Sequence, residues 1–176
     1  MTRCIHFGAF LREERKRRGI PLWKFAASIP FPQSNIQRME RGNAEPRVGL
    51  AVRMVNGLGA NAGEFMTAFI LEQGWGASPF ELPPEYSPDT LKMALLAENT
   101  SGSPAVIFGS LLKQARLANN LNQTKIAETS GYTVRSLISV EMGRQEPMLT
   151  NALRLVWATG CAPVNFFNAF SSLLLK

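Results

Sequence analysis

The feature that most constrains this chain is a repeat that needs no gaps. Residues 7–69 align with residues 108–170 at a constant offset of 101, with 17 identities in 63 positions. The most visible stretch reads NIQRMERGNAEP from Asn35 to Pro46 and SLISVEMGRQEP from Ser136 to Pro147. In each, a helical apolar pattern runs into Glu-x-Gly and then, two residues on, Glu-Pro. A gap-free match of this length marks a tandem duplication. The 176 residues therefore divide into two similar domains rather than one large one.

Within copy one the periodicity predicts five helices. The first spans about residues 7–18, with Phe7, Phe10 and Leu11 on one face and Arg12, Arg15, Lys16, Arg17 and Arg18 making the remainder basic. Gly19 follows as a residue suited to the left-handed conformation after a helix end. Pro21 opens a short second helix to about Ser28, in which Phe25 and Ala26 face inward. Pro30-Phe31-Pro32 then resets the direction of the chain. A third helix runs from about Gln33 to Glu40, with Ile36 and Met39 inside and Gln33, Ser34, Asn35, Gln37 and Arg38 outside. Gly42 ends it, and helices over about 48–58 and 62–71 complete the set. A helix, a short helix, a tight turn and a polar-faced helix give the outline of a helix-turn-helix. The expected fold is all-α: two five-helix domains over residues 1–73 and 104–176.

Between them, residues 74–103 form an acidic connector containing Pro79, Pro83, Pro84 and Pro88, which rule out one continuous helix. Ser87-Pro88-Asp89 is a good start for a short helix over 88–98, so the connector is expected to be partly helical. Charge follows the same division. Residues 1–70 carry 11 Lys/Arg against 5 Asp/Glu, residues 71–100 carry 1 against 5, and residues 101–176 carry 7 against 3. Two basic blocks flanking an acidic spacer suit a polyanionic partner better than a uniformly basic surface would.

Other classes find little support. Two distant cysteines, Cys4 and Cys161, do not make a disulfide framework, so a reducing, cytoplasmic setting is expected. No segment has the run of about 20 apolar residues that spans a bilayer, so no membrane partner is expected. The single histidine, His6, lies near Cys4 without two further ligands, which argues against a metal site. Neither a glycine-rich phosphate loop nor a nucleophile–base pair is present. No cofactor and no enzymatic activity are expected.

The pattern Leu11, Arg15, Phe25-Ala26, Ile36, Met39-Glu40-Arg41-Gly42 and Pro46 resembles the phage-repressor/Cro (XRE-type) helix-turn-helix family, whose domains are lambda-repressor-like. Copy two fits better in the first half of its motif: Leu121-Asn122-Gln123 precedes Ile126-Ala127, and Gly131 sits in the turn. Copy one departs there, with Leu22 for the usual glutamine and Pro30 for the turn glycine. The resemblance implies ion pairs from the first to the third helix, Arg15 with Glu40 and Arg116 with Glu141. It implies base readout by Gln33, Ser34, Asn35, Gln37 and Arg38 in copy one. In copy two the matching residues are Thr133, Val134, Arg135, Ser136 and Ser139, a set of shorter hydrogen-bonding reach. Asn or Gln can bond adenine in a bidentate way, and Arg guanine. Phosphate contacts are expected from Lys24, Arg41, Asn43 and Arg47, and from Gln123 and Arg144.

These expectations make the chain a sequence-specific, double-stranded DNA-binding transcriptional regulator, a repressor or an activator, reading neighbouring half-sites in direct or inverted order. The last helix of copy two is strongly apolar. Val164, Phe166, Phe167, Phe170, Leu173, Leu174 and Leu175 together exceed what a small domain buries alone, which suggests a homodimer or interdomain interface through Phe167, Phe170, Leu173 and Leu174. Two alternatives follow. In one, copy two serves dimerisation or partner binding rather than reading; in the other, the chain is a DNA-binding antitoxin or accessory protein with a protein partner.

Overall fold

The computed structural model describes residues 6–72 and 102–176 and bears out the all-α expectation. Copy one contains α1 (Phe7–Arg17), α2 (Leu22–Ala27), α3 (Gln33–Glu40), α4 (Val48–Gly57) and α5 (Ala62–Glu72). Copy two contains α6 (Pro104–Ala118), α7 (Gln123–Ser130), α8 (Val134–Glu141), α9 (Leu149–Ala158) and α10 (Pro163–Leu174). The third helix of copy one begins and ends as expected, at Gln33 and Glu40, and α8 repeats it at the offset of 101. The helix expected over 88–98 lies outside the described residues, as does Cys4. Among the described residues, no helix is long and apolar enough to cross a membrane.

Each copy closes around its own aromatic cluster. Phe7 meets Phe65 and Phe69 at ring separations of 6.0 and 5.6 Å, and Phe108 meets Phe166 and Phe170 at 5.3 and 5.7 Å. These edge-on pairs tie the first helix of each copy to its fifth. Ile36, Val52, Met54 and Val55 fill the centre of copy one, with Leu137, Leu153, Leu155 and Val156 in copy two. The first and third helices approach so closely that a Cβ on Gly8 would lie 1.7 Å from the Met39 carbonyl oxygen. On Gly109 it would lie 2.1 Å from that of Val140. Only glycine allows that approach, which accounts for a shared position the repeat alone left without a role.

The two copies pack on each other. The contact of α5 with α10 is the most extensive between any two helices of the described residues. The expected interface residues of the last helix are largely spent here and in the copy-two core: Phe167 and Phe170 are fully buried, Leu173 is nearly so and Leu174 is half-buried. Asn168 Oδ1 accepts from the Gly63 amide at 3.0 Å, and Asn56 donates to Ser171 Oγ at 3.0 Å across the same seam. The apolar face that suggested a homodimer is thus covered by the chain's other half.

Candidate nucleic-acid interface

The position of α3 follows from what holds its two ends. At its C-terminal end Glu40 receives the Arg15 guanidinium in a bidentate pair, Nε to Oε1 at 2.6 Å and Nη2 to Oε2 at 2.9 Å. The remaining Arg15 nitrogen, Nη1, donates to the Ile20 carbonyl at 2.7 Å. Both side chains are almost wholly shielded from solvent. The bond to Glu40 also pushes the Arg15 guanidinium pKa above its ordinary value, against the effect of burial. Copy two repeats the arrangement with Arg116 and Glu141 at 2.6 and 3.1 Å, and Arg116 Nη1 on the Leu121 carbonyl at 2.9 Å. Beyond each recognition helix a glycine turns left-handed, Gly42 at φ 80° and Gly143 at φ 66°.

At the N-terminal ends the copies differ. In copy two Gly131 closes α7 with φ 74°, a conformation that strains other residues. Thr133 then caps α8, its Oγ1 accepting from the Ser136 amide at 3.1 Å. In copy one the turn is built by prolines. Ser28 ends α2 in a right-handed conformation, the Phe31 amide bonds the Ile29 carbonyl at 2.7 Å, and Pro32 precedes α3 with no side-chain cap. The departure seen in the sequence is therefore a different turn that still delivers a helix at the same place.

The candidate contacts separate in the same way. Gln33, Ser34, Gln37 and Arg38 are exposed on α3, with Asn35 half-buried. None of these side chains has an intramolecular hydrogen-bond partner among the described residues. On α8, Val134 and Arg135 are exposed, and Arg135 is likewise unpartnered. Thr133 and Ser136, however, hydrogen-bond each other through their hydroxyls at 2.9 Å, and Ser139 is half-buried. Gln123, expected on phosphate, instead donates to Glu141 Oε2 at 2.8 Å and so joins the ion pair. Leu22, its counterpart in copy one, makes no such bond. Lys24, Arg41, Asn43 and Arg144 are exposed. Arg47 is exposed too, and its Nη1 donates to the Glu146 carbonyl at 2.5 Å.

Sequence reasoning missed the roles of Glu45 and Glu146. Glu146 Oε1 accepts from the Gly49 amide at 2.8 Å, and Glu45 Oε1 accepts from the Thr150 amide at 2.6 Å. Each carboxylate thus caps the fourth helix of the other copy, where unpaired amides and the helix dipole favour an anion. Between them the segments just before α4 and α9 form a short antiparallel bridge at Arg47 and Met148. The Val48 amide donates to the Pro147 carbonyl at 3.1 Å, and Leu149 to Pro46 at 3.0 Å. The repeated Glu-Pro was the available signal. Trp23 was also overlooked: it is 67% exposed, beside Lys24 in the first turn of α2, where copy two has Thr124.

Two buried frames, each presenting a solvent-facing helix after a tight turn, define paired helix-turn-helix DNA-binding domains. Comparison with known families agrees: the family described as Helix-turn-helix domain matches residues 6–65, and that described as Helix-turn-helix matches residues 112–164. The chain belongs to the helix-turn-helix family and carries two tandem copies of its domain. No curated protein and no solved structure matches it.

Proposed function

We propose that the chain is a sequence-specific transcription regulator that lays α3 and α8 in the major groove of duplex DNA over neighbouring half-sites. The observation that carries this reading is the set of unpartnered polar side chains on α3, Gln33, Ser34, Asn35, Gln37 and Arg38, held on a rigid frame by the buried Arg15–Glu40 pair. Side chains that fold without internal partners on an otherwise well-satisfied frame are available to base edges. Lys24, Arg41, Asn43 and Arg47 would contact phosphates around that helix, with Arg144 beside α8. The protein acts in this reading by occupying DNA, without catalysis, in the cytoplasm. The apolar face of α10 no longer argues for an outside partner, because α5 covers it.

Selection from a random duplex library with the intact chain tests the reading. An enriched sequence is expected, with Arg38→Ala weakening binding by about 1–3 kcal/mol and relaxing preference at one position. Equal retention of all duplexes at low salt would refute it.

A further inference from the structure

We infer that the chain is an internal dimer: one molecule occupies one operator, and that operator is an inverted repeat with unequal halves. This deepens the DNA-binding reading above and rests on it.

The order of the half-sites follows from the contacts between the copies. In an isologous interface, if residue i of one half meets residue j of the other, then j of the first meets i of the second. Here the Val48 amide bonds the Pro147 carbonyl and the Leu149 amide bonds the Pro46 carbonyl. At the offset of 101 these are the same contact made twice. The capping carboxylates behave identically, Glu146 on Gly49 and Glu45 on Thr150. Gly63 lies against Val164, its own equivalent, so the axis passes between them as it does between Arg47 and Met148. A head-to-tail arrangement, which would suit a direct repeat, gives none of these reciprocal pairs.

The recognition helices flank that axis on the side of the bridge, because α3 and α8 end at Glu40 and Glu141, seven residues before Arg47 and Met148. Helices related by a twofold axis meet DNA whose half-sites are related by one, about 34 Å apart. The face used by α5 and α10 is already filled, so no second chain is needed to form the pair.

The halves are unequal because the copies differ in what they leave free. Copy one presents Gln33, Ser34, Gln37 and Arg38 without internal partners. In copy two the Thr133 and Ser136 hydroxyls bond each other and Gln123 is held by Glu141. Arg135 is then the one long, unpartnered hydrogen-bonding side chain among the expected readers on α8. Its half-site is read at essentially one base pair, a guanine by the fork geometry of the guanidinium. At the axis itself Arg47 pairs with Met148, so the cation there belongs to copy one, with its Nη1 on the Glu146 carbonyl.

The test uses the intact chain and the duplex it enriches from a random library. Two duplexes are made from the enriched halves, one inverted and one direct at equal spacing, and each base pair is then substituted in turn. Stoichiometry is read by analytical ultracentrifugation. The expected result is a one-to-one complex, with the inverted duplex bound at least about tenfold more tightly than the direct one. Several substitutions in one half should cost about fivefold or more. In the other half a single guanine should matter, and that sensitivity should vanish in Arg135→Ala, whose exposed side chain leaves the fold intact. Two chains per duplex, equal binding to the direct duplex, or equally informative halves would overturn the inference while leaving DNA reading in place. Enrichment of no sequence would overturn both.

Discussion

Glu40→Ala is the sharpest probe of the frame that aims α3. The substitution removes both hydrogen bonds that the Arg15 guanidinium makes to carboxylate and leaves a cation shielded from water, with the Ile20 carbonyl as its remaining partner. Breaking one side of a buried pair costs about 3–5 kcal/mol, mostly from the charge left behind rather than from the attraction lost. With a urea dependence of about 2 kcal/mol per molar, the unfolding midpoint of copy one should fall by about 2 M. Replacing both partners, Arg15→Met with Glu40→Leu, removes the stranded charge and should return stability to within about 1–2 kcal/mol of the parent. The residue of that loss is the Ile20 carbonyl left without its donor. Urea denaturation followed by circular dichroism measures all three proteins. Two results would refute the reasoning: a Glu40→Ala variant within about 1 kcal/mol of the parent, or a double variant as unstable as the single one. The double variant also separates stability from aim. It should fold yet bind its duplex more weakly, since an apolar contact does not fix the end of α3 as a bidentate pair does.

Further outcomes follow from particular residues. Phe167→Ala should cost about 3–5 kcal/mol in thermal unfolding, because the ring is wholly buried within the chain, and gel filtration should show no change of assembly state before unfolding. Lys24→Ala should lower the salt slope of DNA binding by about 0.9 if its ammonium meets a phosphate, measured as log affinity against log salt. Burial pushes the Cys161 thiol up to about 11. The folded state therefore holds its proton after an unfolded thiol, at about 8.5, has released it. The stability this contributes is full below about pH 8.5 and is lost as pH rises toward 11. Denaturation at pH 8 and pH 10 should show the fall, and its absence in Cys161→Ala would assign it to that thiol.

The elements were legible because each depends on near neighbours in sequence. The spacing of Ile36 and Met39, with Gly42 after them, suffices to bound α3, and the same signals recur 101 residues later for α8. The contacts between the copies were not legible in that way. Glu45 and Glu146 stand just before a helix start and look like residues of their own domain, yet each caps a helix about a hundred residues distant. The apolar face of α10 shows a similar limit: the count of Phe and Leu says that a face must be covered, and nothing local says by what. Gln123 illustrates the reverse case. A position that suggests phosphate contact is claimed in this fold by Glu141, whose Oε2 accepts from Gln123 as well as from Arg116.

The crossing of α5 and α10 has a consequence for how such a molecule departs from its own symmetry. In an assembly of two identical chains, any residue on the axis meets itself, so one choice of side chain must serve both sides. Here Gly63 meets Val164, and a Cβ added to Gly63 would fall 2.1 Å from the Val164 carbonyl oxygen. Two second halves joined in this geometry would set a valine Cβ against that backbone oxygen. The join pairs a glycine with a valine, a choice of unlike residues that duplication within a single chain permits and two identical chains do not.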